Sequence, residues 1–262
     1  MSSPSPSAPG FAVIARSTLY NVIFYINLVG LIVFGLPTIA FGRRAVLGLA
    51  RQWGRSSIWL LGKICGVRFE FRGLENIPQG AVIVASKHQS IFETFALPIA
   101  FPDFSYVLKR ELMWVPLFGW LLKGAEQIAI DRASGKTALN SANERAQALL
   151  QDGRALFIFP EGTRRAVGAP PQYKFGVAHI YATSHAPCLP VALNTGIVWP
   201  RRSFWRRKGL CVIQFLPVIP PGLDKETFSV RLQDAIETAS DALIAEAYRA
   251  NPELIASQRR NV

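Results

Sequence analysis

His88 and Glu93 stand five residues apart in the run KHQSIFET, and their side chains could share a proton. A carboxylate on one imidazole nitrogen fixes the tautomer and leaves the other nitrogen as a general base. On one continuous helix the two would point about 140° apart, so the chemistry requires a bend between them. The run AVIVAS just before them reads as a buried strand. A strand-to-helix turn would place His88 in the turn and Glu93 in the first helical turn, within reach of a ring nitrogen. Taken alone, such a pair is weak evidence, because histidines beside acids are common on protein surfaces.

Three further stretches could join it. QIAIDR (127–132) puts Asp131 and Arg132 at a strand end, where ligand loops gather in open sheets. FPEGTRR (159–165) is a strand followed by a glycine-containing turn and two arginines, Arg164 and Arg165. Free backbone N–H groups with a guanidinium suit a phosphate monoester. CLPVALN (188–194) is a strand carrying Pro190. Each also has a plain reading: a surface ion pair, solvated charges, strand-edge punctuation.

The elements that would carry these residues alternate. VRFEFRG (67–73), AVIVAS (81–86), FSYVLK (104–109), QIAID (127–131), ALFIFP (155–160), LPVALN (189–194) and LCVIQFLPV (210–218) read as strands. TALNSANERAQALLQDG (137–153) reads as a helix stopped by Gly153, and FSVRLQDAIETASDALIAEAYR (228–249) as a closing helix. Apolar strands separated by helices predict an α/β fold, a layered mixed sheet flanked by helices.

The N-terminal quarter has a different texture. Residues 1–10 are Ser/Pro-rich and read as a disordered tail. VIFYINLVGLIVFGLPTIAF (22–41) is long enough to span a bilayer core, with Pro37 expected to kink or end it. RRAVLGLARQWGRSSIWLLGKICG interleaves Arg43, Arg44, Arg51, Arg55 and Lys63 with tryptophans, as in a basic amphipathic helix at a membrane interface. Residues 11–65 are therefore expected to form a membrane-associated helical segment, spanning or dipping into one leaflet, and 66–262 the α/β domain. Net charge is +12 and half the residues are hydrophobic, with pI near 10.1 and mean hydropathy +0.23. Basicity calls for a polyanionic partner, and the apolarity favours an anionic membrane surface over nucleic acid. Cys65, Cys188 and Cys211 lack metal-ligand or disulfide spacing and read as buried thiols. No residue cluster has the spacing of a metal site.

In this order the stretches resemble the glycerolipid acyltransferase family, and most closely its bacterial 1-acyl-glycerol-3-phosphate acyltransferases. The likeness runs from about residue 67 to 218. Its four blocks are H-x-x-x-x-D at His88–Glu93 with Ser90, a hydrophobic residue before D-R at Ile130–Arg132, F-P-E-G-T-R at Phe159–Arg164, and a proline-bearing strand at Pro190. Between the first two, Lys109, Glu111, Leu112, Pro116, Gly119 and Trp120 match K-x-E-L and P-x-x-G-W; Lys174 and Gly176 match K-x-G. The family's usual acid is aspartate; here it is Glu93, one methylene longer.

The resemblance implies transfer of an acyl chain from a thioester, acyl-CoA or acyl-carrier protein, to the sn-2 hydroxyl of lysophosphatidic acid. It implies His88 as base and Glu93 as its orienting acid, with no cofactor and no metal. It assigns the acceptor phosphate to Arg164, with Glu161, Gly162 and Thr163 shaping the loop and Lys109 and Arg132 as further contacts; Asp131 and Pro190 are structural. The enzyme is expected at the inner membrane, and the cations clustered from Arg43 to Lys63 predict that its domain faces the cytoplasm. The basic run RRSFWRRKG (201–209) could grip headgroups or the donor's carrier, or could equally be a solvated loop. Another lyso-lipid acceptor is the nearest alternative, and a non-catalytic basic membrane protein a more distant one. His179 and His185 match no block and read as structural or surface histidines.

Overall fold

The computed structural model describes residues 10–131 and 135–258. The expected tail and Arg132 lie outside the described residues. All seven expected strands form: β1 (Val67–Arg72), β2 (Val82–Ser86), β3 (Phe104–Lys109), β4 (Ile128–Ile130), β5 (Ala155–Ile158), β6 (Cys188–Leu193) and β7 (Gly209–Phe215). They make one sheet in the order β1-β7-β6-β2-β5-β3-β4. Every neighbouring pair is parallel except β6 and β7.

The central strands are apolar at every position because both faces are covered. Val82 and Val84 of β2, Phe157 of β5 and Leu189 and Val191 of β6 enter one core layer. Ile83 and Ala85, Leu156 and Ile158, and Cys188 enter the opposite layer. This is the period of two expected of a pleated strand. Burial of each valine, leucine, isoleucine or phenylalanine among them contributes roughly 1.5–3 kcal/mol.

The first layer is closed by α1 (Phe11–Gly35), α2 (Arg43–Cys65) and the short α3 (Phe92–Ala96). The short α4 (Phe118–Gly124) adds Leu121 to it. The second layer is closed by α5 (Gly135–Gln151), α6 (Gly176–Ser184) and α8 (Lys225–Ala250). A single turn, α7 (Thr195–Val198), follows β6, and α9 (Glu253–Gln258) follows α8. Asp224 caps α8, its carboxylate accepting from the amides of Glu226 and Thr227.

Two N-terminal expectations change. The apolar helix begins at Phe11 rather than Val22 and runs to Gly35, where Pro37 sits in a 3-10 turn, Leu36–Phe41. Together they form an element long and apolar enough to cross a membrane, with mean hydropathy 2.2 in its apolar window. Its polar side faces inward. Ser17, Tyr20, Asn21 and Phe24, at helical spacing, are buried, while Leu19, Val22, Tyr25, Ile26, Val29 and Val33 are exposed. The second change concerns α2, which does not simply lie on a surface. Val46, Leu47, Leu61 and Cys65 enter the core, and Arg43 pairs with Asp103 and Glu126. Gly54 passes so close to α3 that a Cβ would collide with the Phe95 carbonyl. A helix rich in tryptophan and leucine buries these side chains wherever an apolar surface is offered, and here the domain offers it first. Trp59 alone among its tryptophans stays exposed.

Candidate active site

Parallel strands bring their carboxyl ends to one edge of the sheet, and the loops after β2, β5 and β6 meet there. β2 ends at Ser86, and His88 lies in the following loop. Glu93 lies in the first turn of α3. The expected bend is present: Nδ1 of His88 is 2.9 Å from Oε1 of Glu93. The same oxygen accepts from the backbone amides of Gln89 and Ser90, each at 2.7 Å. Oε2 accepts from the Thr195 hydroxyl at 2.7 Å. Three directed donors, two amides and a hydroxyl, are what a carboxylate accepts. Facing it, Nδ1 is the nitrogen that carries the hydrogen, and in the neutral ring Nε2 keeps the lone pair. Glu93 is fully buried and the His88 side chain is 13% exposed, so the pair reaches the surface through the imidazole.

Phe159, the first residue of FPEGTR, stacks on the His88 ring with centroids 3.9 Å apart. The Arg165 amide donates to the His88 carbonyl at 2.8 Å, so the loop is stapled to the histidine. Gly162 turns the loop at φ +66°, a left-handed conformation that glycine adopts without strain. Lys174 supports the loop from behind, its amide donating to the Pro160 carbonyl at 2.8 Å. Arg165 is used within the loop, donating to Gln172 and to the Pro170 carbonyl. The Arg164 carbonyl accepts from Arg201 at 2.6 Å. The Arg164 guanidinium has no hydrogen-bonded partner among the described residues. Thr163 is exposed.

Glu161 faces the other way. Its carboxylate is buried and pairs with Lys87 at 3.1 Å. Lys87 also holds Glu237 of α8 at 2.7 Å, and Tyr173 donates to Glu237. Burial pushes the Glu161 carboxyl above its ordinary range, against the pull of Lys87. Glu161 therefore shapes the loop from beneath, through this buried network. Lys109 is exposed at the end of β3. Asp131 pairs with Arg110 at 3.0 Å. Pro190 lies inside β6 and its carbonyl accepts from the Leu216 amide.

The basic run 201–209 is put to internal use at two points. Arg201 braces the Arg164 loop as described. Arg206 is buried over the Trp199 ring, 3.7 Å from its centroid, and donates to Asn21 of α1 at 2.6 Å. Desolvation draws its pKa down to about 10, still cationic at neutral pH. These two cations therefore brace the protein and are not spread along a solvated loop. His179 lies beside Lys225, and His185 caps α6 at φ 52°.

Residue spacing missed Lys87, Gln89, Thr195 and Glu237. Lys87 had a signal, since it directly precedes His88. A lysine at a strand end nevertheless reads as solvated until the acids facing it are known. No spacing links Thr195 to Glu93.

This architecture is that of an α/β enzyme working at the carboxyl edge of its sheet. The Acyltransferase family model matches residues 68–194, from β1 through the end of β6. The chain is 37% identical over 198 residues to the 1-acyl-sn-glycerol-3-phosphate acyltransferase of Pseudomonas aeruginosa, covering 76% of each chain. It is 29% identical to the human 1-acyl-sn-glycerol-3-phosphate acyltransferase alpha, over 59% of this chain and 56% of that one. The crystal structure of the 1-acyl-sn-glycerophosphate acyltransferase from Thermotoga maritima superposes with a TM-score of 0.72 at 20% identity, covering 87% of this chain and 97% of that one. The chain belongs to the acyltransferase family.

Proposed function

We propose that the chain transfers an acyl group from acyl-CoA or acyl-carrier protein to the sn-2 hydroxyl of lysophosphatidic acid, giving phosphatidic acid. The reading is carried by one arrangement: a buried carboxylate on Nδ1 of His88, beside a loop that presents the unpaired Arg164 guanidinium. The names of the relatives support the same substrate. Nε2 of His88 takes the proton of the hydroxyl as its oxygen attacks the thioester carbonyl. The tetrahedral adduct collapses, the C–S bond breaks, and the thiolate takes the proton back from the imidazolium. Glu93 holds the ring and balances its transient charge. General-base action of this kind is typically worth about 10²–10⁴ in rate. A matrix of purified protein against thioester donors and lyso-lipid acceptors tests the reading. Turnover confined to an acceptor without a phosphate monoester would overturn it.

Arg164 contacts the acceptor phosphate in this reading. Arg164→Ala is expected to raise the acceptor KM at least about tenfold, as loss of a charge-assisted bond requires. Arg164→Lys is expected to recover only part, because an ammonium lacks the planar fork. Steady-state kinetics over a range of lysophosphatidate check both. An unchanged KM in both variants removes Arg164 from the phosphate site.

The protein works at a membrane surface. The exposed apolar face of α1 supports this, because Ser17 and Asn21 are buried against the domain while Leu19, Val22, Ile26, Val29 and Val33 face outward. The cations of 43–63 support a cytoplasmic position for the domain. Full-length protein is expected to float with anionic vesicles in a density gradient. Recovery at the bottom of the gradient without detergent contradicts the attachment. Truncation before β1 is a poor test, since α1 and α2 share the core with the sheet.

A further inference from the structure

We infer that Thr195 is a positioning residue of the His88–Glu93 pair, one that makes glutamate the acid suited to this site. The inference rests on the base role of His88 proposed above. Thr195 is fully buried at the first position of α7, directly after β6. Its hydroxyl donates to Oε2 of Glu93 at 2.7 Å, from a residue 102 positions along the chain. The opposite oxygen, Oε1, is filled by the imidazole and two amides of the same loop. Those three bonds place Oε1 but leave the carboxyl plane able to swing about it. Thr195 is the donor that fixes the second oxygen and so the plane.

The neighbouring residue tightens the same junction. The Gly196 amide donates to Oε1 of the Gln89 side chain at 3.1 Å. A Cβ on Gly196 would meet Gln89 Cβ at 3.0 Å and Val167 Cγ2 at 2.8 Å. Glycine there lets α7 approach the KHQSIFET loop closely enough for Thr195 to reach. The arm length of Glu93 follows from this. An aspartate on the same backbone would fall short by one C–C bond, roughly 1.5 Å. It could keep the loop donors or Thr195, and not both sets at hydrogen-bond distance.

The test uses the full chain in detergent with Thr195→Val, which keeps the shape and removes the hydroxyl. Thr195→Ala is the second variant, for the case that the added methyl disturbs folding. Both are expected to lower kcat about tenfold with the acceptor KM within about twofold, the loss appropriate to one bond to a charged group. Thr195→Ser is expected to stay within about twofold of wild type. In a Glu93→Gln background, Thr195→Val is expected to cost less than about threefold more, because its partner is already gone. Proton NMR supplies a readout independent of turnover. The hydrogen-bonded imidazole N–H resonance of His88, assigned by its loss in His88→Ala, should shift or broaden in Thr195→Val and persist in Thr195→Ser. Wild-type kcat with an unmoved resonance in Thr195→Val and Thr195→Ala overturns the inference, as does an equal loss in both Glu93 backgrounds. Retained turnover in His88→Ala would instead sink the base reading, and the resonance would still report on Thr195.

Discussion

His88→Ala is expected to lose at least about 10² in kcat while remaining folded, because removing the base acts on the transition state. Glu93→Gln should be nearly as severe. An amide in that buried position can donate to the imidazole or leave Nδ1 without a counter-charge, and it mismatches the two amides and the hydroxyl that now donate to it. Glu93→Asp should fall between wild type and Gln, since it keeps the charge but shortens the arm that spans from His88 to Thr195. The double variant of His88→Ala and Glu93→Gln should cost little more than His88→Ala alone, as residues acting as one unit are not additive. Turnover of the four proteins, with circular dichroism as the folding control, checks all of this. A folded Glu93→Gln protein with wild-type turnover would make Glu93 a bystander.

Lys87→Met is expected to produce the largest loss of stability. Lys87 is the cation between two acids, and its side chain and that of Glu161 are 4% and 0% exposed. Removing it leaves Glu161 charged and buried against Glu237, which costs about 3–5 kcal/mol for a broken buried pair. The loss depends on pH with a definite sign. Burial and Glu237 already raise the Glu161 carboxyl, and Lys87 is the group that lowers it. Without Lys87 the folded-state pKa rises further above the unfolded value. Stability in the variant is then fullest below the ordinary carboxylate pKa and falls as pH rises through the folded one. Melting temperatures in detergent at pH 5.5 and pH 8 should show a deficit that is larger at pH 8. Activity should fall as well, because the FPEGTR loop rests on Glu161. An equal deficit at both pH values would mean that the buried acid is not the source.

Much of the molecule is legible in the chain because it is local. A strand covered on both faces must be apolar at every position, so AVIVAS and ALFIFP announce themselves without knowledge of their neighbours. The turn between His88 and Glu93 is local too: a strand end, five residues and a helix start suffice to bring Nδ1 and Oε1 together. The break at Pro37 follows from a single residue. What lies beyond local reach depends on strand order. β2 stands between β5 and β6, and this alone puts Thr195 on Glu93 and brings Phe159 and Arg165 onto His88. The inward turn of Glu161 depends on Lys87 and Glu237, 74 and 150 residues apart in their pairings. The same holds for Arg206, which reads as a solvated cation until Asn21, 185 residues away, is seen to face it. Hydrophobic period and turn chemistry specify which face of an element is buried, but they carry no record of which element will bury it. The chain alone therefore determines the local pairing of His88 with Glu93 and the glycine turn of FPEGTR, and the tertiary structure decides which groups hold that carboxylate and that loop in place.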